Sequence, residues 1–383
     1  MRIVIFTSAH AANDIRIYEK QIRSLLNLGY EVFYYTNSCY HNAGVYECSK
    51  NLISENSNLH VSFNDNYDEN KRYKRFILSL LLLKKIYKKG DIYHFHDPDL
   101  IPTGLILKLL GKKVIYDVHE DYVETILSKE YIKPRYRLIV STLFSWLEKF
   151  ASRRFDAVIT ATQKIADRFI NYGVGSVFTI NNYPFINELS SSNFFCNKDD
   201  IILYAGGITP NRGISQLITA LPLVNKHISC RLILAGQIYP NEYISELKNL
   251  EGWSYVCYKG LLDRQAMASE MENAKIAAIT FLPEKNHIDA QPNKLFEYMS
   301  ARLPVVCSDF PLWRSLIVDN KIGVSVDPES PESISKGLLN LLKRPSDELS
   351  DMGNRAFNLI KQKYNWEAEQ NKFLEVYFWV IKQ

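Results

Sequence analysis

Short runs of apolar residues recur along the chain, and an amphipathic stretch follows each of them. The runs are continuous rather than alternating, which is typical of strands covered by helices on both faces. Strands that alternate with helices form parallel, doubly wound sheets. The first half holds six runs: Arg2–Thr7, Glu31–Thr36, Asp91–His96, Lys113–Val118, Ala157–Thr162 and Val177–Asn182. The second half holds six more: Ile201–Gly206, Arg231–Gly236, Trp253–Lys259, Ile276–Leu282, Pro304–Asp309 and Gly323–Asp327.

These two sets predict an α/β protein of two Rossmann-like, doubly wound parallel-sheet domains that face each other across a cleft. A length of 383 residues also favours two domains. The polar, aperiodic stretch Asn181–Asp200 predicts the linker. We therefore expect a first domain over 1–183 and a second over 184–365. The last helix, 366–383, has a dense apolar and aromatic face, and we expect it to pack back on the first domain.

Composition excludes several classes of protein. Hydrophobic residues make up 46% of the chain, which excludes a disordered protein. The six cysteines are scattered and form no CxxC pair, so neither a disulfide scaffold nor a structural zinc site is expected. A net charge of +4 is too small to indicate nucleic acid as a partner. Because neither a signal-peptide pattern nor an apolar run of about 18 residues occurs, we expect a cytoplasmic protein.

The strongest chemical signal is the segment Asp289–Pro304, DAQPNKLFEYMSARLP. Pro292 predicts a helix that begins near Asn293, and the free amides of a helix start bind phosphate. Glu297 lies one turn inside that helix, where its carboxylate could accept two hydrogen bonds from the diol of a ribose. Asp289 lies in the preceding loop and could reach a sugar. The alternative is an ordinary helix with a solvated Glu297.

Arg212 follows the strand Ile201–Gly206 across a turn rich in glycine and proline. A planar guanidinium is suited to clamp a diphosphate and to stabilise the charge that develops on it as a leaving group. The alternative is a surface arginine in a turn.

Histidines and acids mark the strand ends of the first half. His119 ends the strand Lys113–Val118, where it could also be a buried or cleft-lining histidine. His94 and His96 alternate with apolar residues on the preceding strand, and we expect His96 to lie nearer the cleft. The sequence Asp97-Pro98-Asp99 matches the Asp-x-Asp metal motif. Because Asp97 before Pro98 predicts a helix N-cap, we expect no metal there.

Taken in order, these segments resemble the family-four glycosyltransferases of GT-B fold, in the variant that has PNKLFEYM at its Glu-x7-Glu motif. DIYHFHDPDLIPTG and KVIYDVHED resemble the strand ends of that family's first domain, and FDAVITATQKIADRF resembles its last strand and helix. LYAGGITPNRGI resembles the phosphate-binding turn of the second domain, and YNWEAEQNKFLEVY the closing helix. Two departures matter. Asp289 replaces the first glutamate, and Gly206-Gly207-x4-Arg212 replaces Gly-Arg-x4-Lys.

The resemblance implies a set of site residues. Three would be catalytic: His119, Asp289 and Arg212. The donor-binding set would be Gly207, Arg212, Gly260, Leu261, Asp289, Asn293, Lys294, Leu295, Phe296 and Glu297. Glu297 would hold the ribose, and the loop at Gly260 and Leu261 would pack on the base. The first loop resembles a subset with His-x3-Asp-x-Arg-Ile. It adds His10, Asp14 and Arg16 to His96 as acceptor or cleft residues, against the alternative of an aspartate N-cap with a solvated arginine.

The implied function is a metal-independent hexosyltransferase that needs no cofactor and moves a sugar from a nucleotide-sugar donor to a lipid-linked or glycan acceptor. The resemblance places it in bacterial surface polysaccharide synthesis. No carboxylate stands out as a covalent nucleophile, as is expected of retaining members, where catalysis is positioning and leaving-group stabilisation. A nucleotide-sugar epimerase of the same fold and an inactive subunit that binds a nucleotide-sugar or a partner enzyme are the alternatives.

The first 195 residues hold 25 Lys and Arg against 20 Asp and Glu, whereas the remainder holds 21 against 22. Much of the excess lies in residues 71–89, which carry eight positive charges and no acid around the apolar centre Phe76–Leu83. A second basic stretch, Lys133–Arg137, precedes the apolar segment Leu138–Phe150. An interfacial helix on the anionic inner face of the plasma membrane would explain this charge. The alternative for residues 71–89 is a crossover helix with solvated lysines.

Overall fold

The chain divides into two compact units in the computed structural model, which describes residues 1–37, 56–64, 72–129, 132–189 and 199–383. The first unit holds Met1–Asn182 and Glu369–Gln383, and the second holds Tyr183–Ala368. Residues 190–198 of the expected linker lie outside the described residues. So do residue 71 and the side chains of 72–78 in the basic segment.

The first unit is built on a sheet of seven strands, all of them parallel, in the order β3-β2-β1-β4-β5-β6-β7. The strands are β1 (Arg2–Ala11), β2 (Glu31–Asn37), β3 (Leu59–Asn64), β4 (Ile92–Phe95), β5 (Lys113–Val118), β6 (Ala157–Thr160) and β7 (Val177–Thr179). The doubly wound sheet is confirmed, with seven strands where the apolar runs predict six.

The additional strand is β3, at the edge of the sheet beside β2. Its sequence LHVSFN alternates apolar and polar residues, with Leu59 buried and His60 exposed. Since a continuous apolar run is typical of a strand buried on both faces, a search for such runs does not detect a strand whose residues alternate in this way.

Helices cover both faces of this sheet. They are α1 (Arg23–Asn27), which continues a π-helical segment (Ile15–Ile22), α2 (Arg72–Ile86), α3 (Ile101–Leu109), α4 (Tyr122–Ser128), α5 (Pro134–Ser152) and α6 (Gln163–Asn171). A short 3-10 helix, Pro98–Leu100, precedes α3. Helices α2, α3, α5 and α6 contribute to one core beneath one face, through Leu82, Leu107, Ala151 and Phe169. Helix α2 is therefore a crossover helix, with Leu82 and Ile86 buried and Lys84, Lys85, Lys88 and Lys89 exposed at or just beyond its end.

The second unit is built on six parallel strands in the order β10-β9-β8-β11-β12-β13. Its strands are β8 (Ile201–Ala205), β9 (Arg231–Ala235), β10 (Val256–Gly260), β11 (Ile276–Ile279), β12 (Val305–Ser308) and β13 (Gly323–Val326). Each lies within or beside a predicted apolar run. The helices are α7 (Ile214–Asn225), α8 (Tyr243–Lys248), α9 (Arg264–Asn273), α10 (Lys285–Ile288), α11 (Asn293–Ser300), α12 (Pro311–Ile317), α13 (Pro331–Leu342) and α14 (Ser346–Gln362). A last helix, α15 (Trp366–Lys382), begins in this unit.

Helix α15 crosses the division between the units. At the start of the helix the Trp366 amide donates to the carbonyl of Pro184, and both residues belong to the second unit. From Glu369 onward the helix belongs to the first unit, where Tyr377 lies against His94 of β4 and Trp379 against Phe178 of β7. Among the described helices, none combines the length and apolar character needed to span a bilayer.

In both sheets the first strand of the unit has neighbours reached by connections on opposite sides. In the first unit β1 lies between β2 and β4, and in the second β8 lies between β9 and β11. Ligands of open α/β sheets bind at such a point, beyond the carboxyl ends of the strands. The two edges at β1 and β8 are therefore where chemistry is expected.

Candidate functional site

The centre of the polar cluster in the first unit is Asp117, a fully buried carboxylate on β5. Arg16 donates to it from Nη2 at 2.9 Å and from Nε at 3.4 Å, and Gln21 Nε2 donates at 2.6 Å. Arg16 also donates to the carbonyl of Ile180. Burial raises the pKa of Asp117, but the charge of Arg16 outweighs it and holds the pKa well below its usual value. Arg16, expected at the pocket, is thus a buried partner that keeps Asp117 ionised.

Three histidines surround this carboxylate, and a fourth packs on one of them. His94 Nε2, His96 Nδ1 and His119 Nε2 lie 3.7, 3.6 and 3.8 Å from its oxygens. His94 Nδ1 is 2.8 Å from the Tyr377 hydroxyl, and His96 Nδ1 is 3.0 Å from His119 Nε2. The ring of His10 packs on that of His119 with centroids 4.6 Å apart. His96, expected nearer the cleft than His94, is fully buried like His94, and it supports His119 from beneath.

Three of these histidines are neutral at neutral pH. Burial lowers the pKa of His94 and His96, and it lowers that of His119 to about 4 despite the charge of Asp117. Two neutral imidazoles can share only one hydrogen between His96 Nδ1 and His119 Nε2, so one ring donates and the other accepts. His119 retains a small exposed fraction of 12%. Of His96 and His119, His119 is therefore the ring that a ligand can reach.

His10 and Asp14 form an ion pair at the end of β1, with Nδ1 and Oδ2 3.1 Å apart. Burial lowers the pKa of His10, but the hydrogen bond and charge of Asp14 and the charge of Asp97 outweigh it and raise the pKa to about 8. The pKa of Asp14 falls to about 2, because the bond to His10 outweighs burial. Asp14 Oδ1 also accepts from the amide of Ile17, so the aspartate caps the helix and holds His10.

Asp97 precedes a helical turn as the sequence predicts, but its side chain does not cap it. The carboxylate turns instead to β1, where Oδ2 accepts from Thr7 Oγ1 at 2.5 Å and from the amides of Ser8 and Ala9. Its other oxygen faces His10 Nε2 at 3.6 Å. Asp97 does occupy the N-cap position, but its side chain makes no cap bond because the amides of Ser8 and Ala9 in β1 are the partners of this buried carboxylate.

Among the described residues, the side chains of His94, His96 and Asp117 could hold a metal ion, since one ligand atom from each lies within 4.8 Å of the others. The donor set does not fit an added dication. Asp117 already accepts from Arg16 and Gln21, and a metal ion would have to replace or adjoin the Arg16 guanidinium in a buried site.

In the second unit a glycine turn follows β8 and leads into α7. The amide of Gly206 donates to Ala235, and the turn closes at Gly213, whose φ of +67° is left-handed. A Cβ at Gly213 would lie 1.8 Å from the carbonyl oxygen of Thr280, so only glycine fits. The guanidinium of Arg212, at the end of this turn, lies 4.0 Å above the ring of Phe281. The turn is thus packed on the segment that follows β11.

Glu297 lies on α11 with both carboxylate oxygens engaged. Oε1 accepts from Arg264 Nη1 at 3.0 Å, and Oε2 accepts from Lys294 Nζ at 2.8 Å. Burial raises the pKa of Glu297, but the charges of Lys294 and Arg264 outweigh it and lower the pKa. Arg264 is itself anchored by Glu188. Each carboxylate oxygen has two lone pairs, so Glu297 can accept further hydrogen bonds from a ligand.

The other expected donor residues lie around Glu297 and the glycine turn. Helix α11 begins at Asn293 after Pro292, as the sequence predicts, and Lys294 extends over Gly206. The amide of Leu295 donates to the carbonyl of Pro292, and the side chains of Leu295 and Phe296 are buried in the core. Asp289 directly follows α10 and is exposed, as is Leu261, which follows Gly260 at the end of β10.

Two residues of these clusters, Arg264 and Asp117, are not among the site residues predicted from the sequence. Arg264 opens α9 in an unremarkable sequence, and nothing local signals its bond to Glu297. Asp117 does carry a signal, because an acid inside the apolar run VIYDV must be buried with a partner.

Two family models match successive parts of the chain. The model described as Glycosyltransferase Family 4 matches residues 19–182, and the model described as Glycosyl transferases group 1 matches residues 185–359. A curated but uncharacterized glycosyltransferase of Methanocaldococcus jannaschii is 26% identical over 188 residues, which are 47% of this chain and 45% of that protein. The match thus spans less than half of that relative. A phosphatidyl-myo-inositol mannosyltransferase of Mycobacterium tuberculosis is 24% identical over 298 residues, covering 75% of this chain and 73% of the relative.

Solved structures share the fold over the whole chain. Sucrose-phosphate synthase from Thermosynechococcus elongatus matches with a TM-score of 0.77 at 15% identity, covering 100% of this chain and 99% of that one. HepE from Anabaena, in complex with UDP-glucose, matches with a TM-score of 0.70 at 15% identity, covering 99% of each chain. At such identities the likeness concerns the fold.

Proposed function

We propose that this chain, which belongs to the family-4 type of glycosyltransferases with the GT-B fold, transfers a hexosyl residue from a nucleotide-sugar to an acceptor hydroxyl. The observation that carries the proposal is the Glu297 carboxylate, held by Arg264 and Lys294 on the helix that follows β11. The same fold in HepE binds UDP-glucose, which supports a nucleotide-sugar as the donor.

The donor's diphosphate would lie at the glycine turn between Gly206 and Gly213. Arg212 ends this turn and Lys294 extends over Gly206, so two cations border the place where a leaving diphosphate would gain charge. Cations in that position supply the stabilisation that a metal ion gives in other transferases. We therefore assign the reaction no metal ion and no cofactor. Glu297 would accept from the ribose and Asp289 from the sugar.

The acceptor would bind at the carboxyl ends of β1 and β5 in the first unit. His119 is held there by His96 and Asp117 and is neutral, so it can accept or donate a hydrogen bond at an acceptor hydroxyl. Retention of configuration follows if the departing phosphate itself takes the acceptor proton, a route that needs positioning rather than a covalent carboxylate.

The product would be a bacterial surface polysaccharide built on a lipid-linked or glycan acceptor at the inner face of the plasma membrane. The exposed lysines 84, 85, 88 and 89 support attachment to anionic lipid through residues 71–89. A relative named for mannosyl transfer to phosphatidyl-myo-inositol supports a lipid acceptor.

The test is to incubate the purified chain with a panel of nucleotide-sugars and with lipid and glycan acceptors, and to follow nucleotide release and product. Transferred sugar is expected, and Glu297→Ala and Arg212→Ala should each abolish transfer while the circular dichroism spectrum stays native. An epimerised sugar without transfer would contradict the proposal. Tight donor binding without turnover would instead indicate an inactive subunit.

A further inference from the structure

Helix α5 (Pro134–Ser152) reverses the usual pattern of a crossover helix, in which apolar residues are buried and polar residues are exposed. Its buried positions are polar or small: Ser141, Glu148, Ala151 and Ser152. Its outward side carries an apolar stripe at helical spacing, whose members are Ile139 (55% exposed), Leu143 (66%), Trp146 (75%) and Phe150 (51%). Residues spaced by three and four lie on one face of a helix, so these four side chains form a continuous ridge about 16 Å long.

We call Ile139, Leu143, Trp146 and Phe150 the α5 ridge. Further apolar residues lie beside it. Leu138, Val140 and Leu147 on its flanks are also exposed. Scattered surface leucines are common, but a contiguous apolar face on a helix marks a binding surface. Tryptophan has an apolar body and a polar N–H and is favoured where the environment passes from apolar to aqueous.

The exposed charges of α5 and of the residues next to it in the chain are of one sign. Residues 133–154 carry six cations, Lys133, Arg135, Arg137, Lys149, Arg153 and Arg154. Their single acid, Glu148, is fully buried and accepts from Arg168 at 2.8 Å, so it does not offset them at the surface. Arg154 lies over the ring of Phe150 at 3.5 Å, which joins a cation directly to the apolar stripe.

We infer that the α5 ridge inserts into the headgroup region of an anionic bilayer, with the surrounding arginines and lysines on lipid phosphates. An apolar face with a tryptophan and a basic margin is the pattern of an interfacial helix. A second copy of this chain is a less favourable partner for the ridge. A two-fold contact would bring the cations of one α5 against those of the other, and α5 has no exposed acid to offset them.

The position of α5 relates this membrane contact to His119. The helix lies in the connection that runs from the carboxyl end of β5, just before His119, back to the start of β6. Its N-terminal end therefore lies toward the edge of the sheet that holds His119. A bilayer against α5 would bring a lipid-linked hydroxyl to that edge. Helix α2, with Leu81 and its lysines exposed, lies in the same helical layer.

The inference rests on the proposed function for its lipid acceptor, so the test measures membrane binding without donor or acceptor. The full chain is sedimented with vesicles of phosphatidylcholine containing about 30% phosphatidylglycerol, and with vesicles of phosphatidylcholine alone. The wild type should bind the anionic vesicles, and Leu143→Ser with Trp146→Ser should weaken binding by at least tenfold. Arg135→Gln and Lys149→Gln should each weaken it about fivefold, in a manner that salt reduces.

The matched control is Phe378→Ser with Ile381→Ser, a pair with the same spacing on α15, where each is 46% exposed. Helix α15 packs on His94 of β4. Successive residues of a strand point to opposite faces of the sheet, and Tyr93 and Phe95 belong to the core on the side of α5. Helix α15 therefore lies on the other face of the sheet. This control should bind vesicles as the wild type does.

Three results would overturn the inference: equal binding to neutral vesicles, unchanged binding by the Leu143 and Trp146 variant, or no binding by the wild type. A wild-type dimer that this variant dissociates in light scattering would assign the ridge to a second copy. Transfer to a water-soluble acceptor is measured in parallel. Vesicle binding without transfer would refute the proposed function alone, and transfer without vesicle binding would refute the ridge alone.

Discussion

The pair of Arg16 and Asp117 is a buried ion pair of the first unit, with each residue less than a twentieth exposed. Taking such charges out of water is expensive, and the pair persists because Gln21 and the carbonyl of Ile180 satisfy its remaining hydrogen bonds. The pair in turn fixes the negative charge around which the histidines are arranged. Its loss would leave an unpaired carboxylate inside the sheet.

Replacing Arg16 by methionine should therefore lower the free energy of unfolding by about 3–5 kcal/mol, measured by urea denaturation. Arg23→Met is the matched control, because Arg23 forms an exposed ion pair with Glu19 at 3.0 Å and its loss should cost at most about 1 kcal/mol. Arg16→Lys keeps the charge and should lie between the two. Equal losses in Arg16→Met and Arg23→Met would refute the role of the buried pair.

The pair of His10 and Asp14 predicts a pH dependence of stability. Because the pKa of His10 is raised from 6.5 to about 8, the folded chain holds the proton more tightly than the unfolded chain does. The resulting stabilisation, about 2 kcal/mol, is complete below pH 6.5 and is lost as the pH rises through 8. The difference in unfolding free energy between wild type and His10→Asn should shrink accordingly between pH 6 and 9. A constant difference would contradict the assignment.

At the scale of elements, the turn from β8 into α7 is held in shape by Gly213. Its left-handed φ and the 1.8 Å that a Cβ would leave to the Thr280 oxygen both exclude a side chain. Gly213→Ala should lower the melting temperature of the second unit by several degrees, since the left-handed conformation alone costs about 1–2 kcal/mol. The clash with Thr280 adds to that cost.

Gly207 provides the control for this substitution within the same turn, since a Cβ there would meet no atom within 4 Å. Gly207→Ala should leave the melting temperature nearly unchanged. A similar loss in both variants would show that the turn is not shaped by the contact between Gly213 and Thr280.

Elements buried on both faces could be predicted from sequence because a parallel strand leaves a continuous apolar run. Strand β3 could not be found in that way, because its residues alternate between apolar and polar. The position of α11 and the resemblance around it rest on local sequence, and the structure places Glu297 and Lys294 together there. The bond from Arg264 joins residues 33 positions apart, and no local pattern encodes such a pairing.

At the scale of the whole molecule, the two units carry different kinds of polar group. The first gathers histidines around one buried carboxylate, and the second gathers arginine and lysine around a glycine turn and Glu297. This division matches the two family models, one on each part of the chain. The proposed function uses this division, with the acceptor hydroxyl at the first unit and the anionic donor at the second.

We expect the second unit to bind a nucleoside diphosphate through Glu297. Isothermal titration of the full chain with UDP, GDP and ADP tests it directly, with Glu297→Gln as the variant and Glu348→Gln, an exposed glutamate of α14, as the matched control. Wild type and control should bind one of these nucleotides equally. The variant should bind it at least about tenfold more weakly, because hydrogen bonds to a charged group are lost. Unchanged affinity in Glu297→Gln, or no binding of any nucleotide by the wild type, would contradict the account.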